Sequence, residues 1–225
     1  LNMRSHSANH FDIDDLHEIA ATCAQHGMKS YLTVNTIIYD NDLTTMKTIV
    51  DAAKAAGISA VIASDVAVMS YCNEVGKEVH LSTQLNISNI ESLKFYSRFA
   101  DVVVLARELN MEQVKAIHED IEQQHICGPM GKPIRIEMFC HGALCMAVSG
   151  KCYLSLANSN RSANRGECAQ FCRMKFDLID ADGKQIVHDR HLLSLKDMNQ
   201  VNSVEALADA GASSFKIEGR LKDVE

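Results

Sequence analysis

Residues 29–63 read KSYLTVNTIIYDNDLTTMKTIVDAAKAAGISAVIA, and this stretch decides the fold class. The run around YLTVN is β-rich and ends in polar residues, which predicts a strand over Lys29–Asn35. Asp42–Ala56 then carries apolar residues at helical spacing, with Asp42 or Thr44 near its cap. Gly57 sits just past the helix, where a left-handed C-terminal residue is expected. Ser59–Ala63 is the next strand. Strand, helix and strand within 35 residues make a βαβ unit, whose two strands must run parallel.

The same texture continues on both sides. Strands are predicted over Glu78–Thr83, Asp101–Ala106, Pro133–Phe139 and Ser213–Glu218. Helices are predicted over Val66–Val75, Ser88–Phe99, Asn110–Gln124 (capped by Asn110) and Ser203–Gly211. About six such units leave two architectures, a doubly wound sheet or a (β/α)8 barrel. No G-x-G-x-x-G follows any strand, which removes the usual support for a dinucleotide fold. Polar residues able to do chemistry end every strand: Asn35, Ser64 and Asp65, Ser82 and Gln84, Arg107 and Glu108, Glu137 and His141, and finally Glu218 and Arg220. In a barrel these converge on one face, where active sites sit. The expected fold is therefore α/β, a (β/α)8 TIM-type barrel incomplete at the N-terminus, with a Cys-rich insertion before the last strand. Its parts are residues 1–141 (partial barrel), 142–202 (insertion) and 203–225 (last helix and strand). Within the insertion, Asp177–Asp180 and Gln185–His188 flank an Asp-Gly turn and predict a β-hairpin.

An apolar fraction of 47% against 23% charged residues is a globular composition and excludes a disordered chain. No apolar run approaches the roughly 20 residues that cross a bilayer, and the first residues show no signal-peptide core. The expectation is a soluble, cytoplasmic protein without a membrane partner. Net charge is −7, yet residues 145–175 hold Lys151, Arg161, Arg165, Arg173 and Lys175 against the single acid Glu167. That island is +4 on a remainder of −11, a place where a phosphate-rich ligand could be held, or simply a solvated loop.

Eight cysteines are many for a chain without a secretory signal, and in that setting clusters suggest metal or catalysis more than disulfides. Cys145, Cys152, Cys168 and Cys172 follow the spacing C-x(6)-C-x(15)-C-x(3)-C. Four thiolates in so short a stretch can surround a tetrahedral zinc or an iron–sulfur cluster, and spacing alone leaves both open. Cys23 and Cys72 fall in helices and read as small core residues; Cys140 stays open. Hydrolase signatures are absent: there is no G-x-S-x-G, and His17-Glu18 and His118-Glu119 lack the second histidine of H-E-x-x-H. A cysteine nucleophile at Cys145 with His141 as its base is the residual hydrolytic option.

Residues 137–155, EMFCHGALCMAVSGKCYLS, resemble the signature of peptidase family U32: E-x-F-x-x-G-A-(L/M)-C, four residues, then G-x-C-x-(L/M)-S. TVNT at 33–36, HLSTQ at 80–84 and KIEGRLKD at 216–223 resemble the family as well. The resemblance implies a TIM-type barrel in which Cys145, Cys152, Cys168 and Cys172 hold a 4Fe–4S cluster. It also implies oxygen-independent hydroxylation of RNA: a tRNA wobble uridine in one branch, 5-hydroxycytidine in large-subunit rRNA in another, with prephenate as a co-substrate. A further pair of members acts in ubiquinone synthesis. NRGECAQ at 164–170 and HLLSLKD at 191–197 look most like the rRNA branch. Family chains carry about two further βα units ahead of this stretch and continue past the KIEGR strand, so the chain is expected to be a fragment. Some members take a fourth ligand from a later cysteine; none follows Cys172 here, which makes Cys172 the expected fourth ligand. On this reading Glu137 and His141 handle protons, Lys216 and Arg220 bind the carboxylates of a small acid, and Arg107, Arg165 and Arg173 meet substrate. The readings from other classes are a collagenase-like peptidase and a platform built on structural zinc.

Overall fold

A computed structural model of the chain describes residues 11–149 and 151–218. Helix α1 (Leu16–Gln25) precedes β1 (Tyr31–Val34), and four βα repeats follow. They are α2 (Leu43–Ala55) with β2 (Ala60–Ala63), α3 (Val66–Glu74) with β3 (Val79–Leu81), α4 (Ile90–Ser97) with β4 (Val102–Val104), and α5 (Met111–Gln123) with β5 (Arg135–Gly142). The chain then leaves the repeat for α6 (Leu154–Ser159), the hairpin β6 (Phe176–Ile179) and β7 (Gln185–Arg190), and the short β8 (Met198–Asn199). It returns through α7 (Val204–Asp209) and β9 (Ala212–Ile217).

The helices start where short polar side chains replace missing backbone partners. Asn110 accepts from the Gln113 amide at 2.9 Å while Gln113 reaches back to the Asn110 amide, a reciprocal cap for α5. Asp65 caps α3 through Ala67 and, with its other oxygen, accepts from the Ile38 amide, so one carboxylate also fixes the loop after β1. Each helix buries one stripe: Met46, Val50 and Ala53 on α2, and Val114, Ile117 and Ile121 on α5. These meet every second strand residue, Val34, Val61, Ala63, Val79, Leu81, Val103, Ile136 and Met138, in one core. The Asp180–Asp182 pair of the hairpin is an Asx turn: Asp180 Oδ1 accepts from the amides of Asp182 and Lys184.

Strands β1 to β5 and then β9 lie side by side in that order, all parallel, and β8 adds antiparallel to the end of β5. The order never reverses, so the sheet has no switch point of the doubly wound kind. Of the expected incomplete TIM-type barrel, the α/β layer and the parallel sheet are present, and no closed barrel is formed among the described residues. Among the described residues β1 pairs with β2 alone and β9 with β5 alone, which leaves an open sheet. The sheet nevertheless curls. Tyr31 on β1 feels the charge of Glu137 on β5, and one cavity is lined from both edge strands, by Thr33 of β1 and by Lys216 and Ile217 of β9.

The face opposite the helices is polar at one end. The His80 ring lies 4.9 Å from Tyr31, its Nε2 is 3.2 Å from Glu78, and Glu78 accepts from Arg135 at 2.8 Å. Burial pushes His80 below its ordinary value of 6.5. Burial pushes Glu78 up, but the His80 and Arg135 contacts together outweigh it and hold the carboxyl below the usual range. Both shifts have one consequence. As pH falls below about 6.5 the unfolded chain takes up a proton that folded His80 resists, and stability falls; further down, the contribution of Glu78 is lost as its folded value is approached. The melting temperature is expected to drop between pH 7 and 5, and His80→Asn to flatten that slope. An unchanged slope in the variant would remove His80 from the acid response.

Candidate functional site

The C-terminal ends of the strands open onto a cavity of about 400 Å³. Cys145, Cys152, Cys168 and Cys172 all line it, together with Asn35, Ser82, Thr83, Gln84, Arg107, Phe139, Asn164, Lys216 and Glu218. The cysteines arrive from three places: the loop after β5, the start of α6, and the turns before and within 171–173. Cys145 is exposed and the other three are half-buried. Cys152 Sγ accepts from the Leu154 amide at 3.5 Å, and buried Ser155 on α6 accepts from the Ala169 amide at 3.0 Å, which ties the α6 segment to the turn carrying Cys168. Burial pushes the Cys172 thiol up, and the charge of Arg173 pulls the other way. Among the described residues no three His, Cys, Asp or Glu side chains close around a single metal ion.

The remaining cysteines stand apart. Cys72 is fully buried, and burial raises its thiol to about 12, an inert core group. Cys140 belongs to the core on the helix side of β5, while Cys23 is half-buried and Cys127 exposed.

Arg107 follows β4 and is held three ways. It pairs with Glu218 at 3.0 Å, donates to the Ala143 carbonyl at 3.2 Å, and lies 3.8 Å over the Phe139 ring. Its Nε is buried without a partner among the described residues, as are Thr83 Oγ1 and Asn164 Oδ1 on the same cavity wall. These three atoms are enclosed behind the cavity wall, and such unsatisfied groups are uncommon in a packed interior. Gly142 explains the close approach of this wall. Its φ is +142, and an added Cβ would stand 2.7 Å from the Glu218 carbonyl.

The other expected site residues are placed as follows. Glu137 faces the sheet interior and accepts from Lys216 at 2.9 Å and Ser214 at 3.0 Å; Lys216, not Glu137, reaches the cavity. His141 is half-buried, with an enclosed Nδ1 that has no partner among the described residues. Arg165 grips Asp42 through two bonds and lies over Tyr39, and it holds the Asp42 carboxyl below the usual range. Arg173 donates to the carbonyls of Leu144 and Leu195 and to Ser194. Neither Arg165 nor Arg173 lines the cavity, because their donors are taken up in stitching loops together. Arg220 lies outside the described residues. Asn35 was expected at this mouth as a strand-end group, whereas Thr83 and Asn164 were not among the expected site residues; the signal for Thr83 was its place at the end of β3, and Asn164 lies in the turn 163–165 of the insertion.

Comparison with known proteins bears on this arrangement. A solved U32 peptidase superposes with a TM-score of 0.51 over 84% of this chain and 75% of its own, at 12% identity, which shows a shared fold alone. A collagenase of Porphyromonas gingivalis is 60% identical over all of this chain. The 23S rRNA 5-hydroxycytidine synthase of Escherichia coli is 39% identical over 97% of it, and tRNA hydroxylation protein P1 of Bacillus subtilis 32% over 97%. The chain covers 55%, 32% and 51% of those relatives, so it spans at most about half their length. The signature carrying Gly142, Cys145 and Cys152 thus sits in a sequence whose residues 1–225 match a single family model throughout, and the chain belongs to peptidase family U32.

Proposed function

We propose that the chain is the cluster-bearing part of an iron–sulfur protein that hydroxylates RNA without molecular oxygen. The observation that carries this reading is the convergence of four thiols on one cavity at the C-terminal ends of parallel strands. The donor set fits such a cluster. Four thiolates are the ligand set of a 4Fe–4S cluster, and all four cysteines line one cavity here. When bound, the cluster supplies one-electron chemistry at the cavity. Cys145, Cys152, Cys168 and Cys172 hold it. Lys216, tethered to Glu137 by one of its three donors, presents its ammonium to the carboxylate of a small acid such as prephenate, and Arg107 completes that wall. Exposed Lys151 and Arg161 contact RNA phosphates and position the substrate. His141 is the candidate for proton transfer. The curled, monotonic sheet forms one side of a TIM-type barrel in the cytoplasmic holoprotein. No helix among the described residues is long and apolar enough to cross a membrane.

Support also comes from relatives named as rRNA and tRNA hydroxylation proteins. A second reading, peptidase action, is favoured by two relatives named collagenase, at 60% and 51% identity. Less in its favour, the one cysteine–histidine hydrogen bond among the described residues runs from Cys127 to the backbone carbonyl of His125, away from the cavity, and not to a ring nitrogen that could act as its base. Protein purified without oxygen is expected to carry about four irons and four sulfides per chain. RNA from a deletion strain is expected to lack one hydroxylated pyrimidine. Stoichiometric zinc without iron, or gelatin cleavage by pure protein with all nucleosides intact, would sink the hydroxylase reading.

A further inference from the structure

We propose that Arg173 is a positioning residue of the cysteine centre, fixing the backbone ahead of Cys145 and supplying, beside the thiols, a positive charge that meets no carboxylate among the described residues. The inference rests on the cluster reading above for its charge half only. Arg173 follows Cys172 directly, and its Nη2 donates at 2.6 Å to the carbonyl of Leu144, the residue before Cys145. One side chain therefore joins two cysteine-bearing segments that lie 29 residues apart. Its Nη1 donates to Ser194 Oγ at 2.8 Å and the Leu195 carbonyl at 3.0 Å, which brings in a third segment. The His191 ring lies 3.0 Å from the carbonyl of Arg173 itself.

The acceptors distinguish this arginine from its neighbours. Arg107 and Arg165 each face a carboxylate, Glu218 and Asp42. Arg173 is half-buried, and its three acceptors among the described residues are two carbonyls and a hydroxyl, all uncharged. A guanidinium partly withdrawn from water that meets no carboxylate among those residues gains from negative charge nearby. Four thiolates bound to a metal centre are that charge. A fixed cation beside a cluster favours its more negative, reduced state and raises the reduction potential. The planar fork is needed as well, since the ammonium of lysine is a point donor that does not grip two segments in fixed geometry.

The full chain, purified without oxygen, is compared as wild type, Arg173→Met and Arg173→Lys. The midpoint potential, followed by visible absorbance and electron paramagnetic resonance, is expected to fall in Arg173→Met and to stay near wild type in Arg173→Lys. Chymotryptic cleavage after Leu144 is expected to quicken at least tenfold in both variants. A potential unmoved in Arg173→Met overturns the electrostatic role, and unchanged cleavage overturns the positioning role. Wild-type protein free of iron would overturn the cluster reading and the charge half with it, while the cleavage result still decides whether Arg173 holds the backbone before Cys145.

Discussion

Replacing Cys152 with serine is expected to lower iron retention by ~100-fold or more and to abolish the hydroxylated nucleoside, while the apoprotein melts close to wild type. Loss of a residue that merely supports a metal ligand already weakens binding by ~10–100-fold, so loss of a ligand itself exceeds that. Serine replaces a soft thiolate with a hydroxyl that stays protonated near neutrality and suits iron–sulfur chemistry poorly. The fold tolerates the change. Cys152 is half-buried, and its sulfur accepts only a long 3.5 Å bond from the Leu154 amide, a bond the hydroxyl oxygen can replace. Cys127→Ser serves as the comparison, because Cys127 is exposed and outside the cavity. Iron content by chelation assay and nucleoside analysis by mass spectrometry read the two effects. Full iron and full modification in Cys152→Ser would remove this thiol from the centre.

The second large effect is structural. Gly142→Ala is expected to destabilise the chain by about 3–5 kcal/mol, because the residue is strained and crowded together. At φ +142 an alanine is unfavourable on conformation alone, and its Cβ would stand 2.7 Å from the Glu218 carbonyl and 2.8 Å from the Glu218 Cβ. The contact is with backbone, so relief requires the end of β9 to move. That movement pulls the Glu218 carboxylate from Arg107, a pair whose side chains are each only 11% exposed, and separating such a pair costs about 3–5 kcal/mol by itself. The two costs belong to one network and do not simply add. Gly131→Ala isolates the conformational part, since φ is +71 there and an added Cβ meets nothing within 4 Å. Thermal melts of the two variants should differ by several degrees. Equal melting temperatures would show that β9 yields freely and that the Arg107–Glu218 contact is slack.

Much of this architecture was readable in the sequence, for a physical reason. The βα repeats are regular local structure, and periodicity with caps such as Asn110 and Gly57 marks their limits to within a few residues. Whether the sheet belongs to a barrel is not written in that regularity. Closure depends on whether the two edge strands pair, and a strand's own residues carry no record of its partner. The four cysteines were legible as a group because ligands must be chemically alike. The arginines were not. Positive charge between residues 145 and 175 looked like a surface for phosphates, yet Arg165 and Arg173 turn inward to Asp42 and to backbone carbonyls. A guanidinium serves either purpose, and only tertiary contacts decide which. The polar inner face has its own signal: charged or titratable residues two apart in or next to strands, as in Glu78 and His80, Arg135 and Glu137, Lys216 and Glu218. Spacing by two puts them on one face, and charges on a shared face inside a sheet imply a network.

The unbroken strand order has a consequence for how such a chain diversifies. Strands β1 to β5 all end at the same mouth as β9, each of the five through its own loop, and no loop is committed to a crevice between reversed halves of the sheet. Each loop is free to lengthen, shorten or exchange residues without unpairing its neighbours, so new chemistry can be installed piecemeal while the layer of core side chains beneath stays constant. Relatives with names as different as collagenase and tRNA hydroxylation protein are what a scaffold with separately editable loops would accumulate.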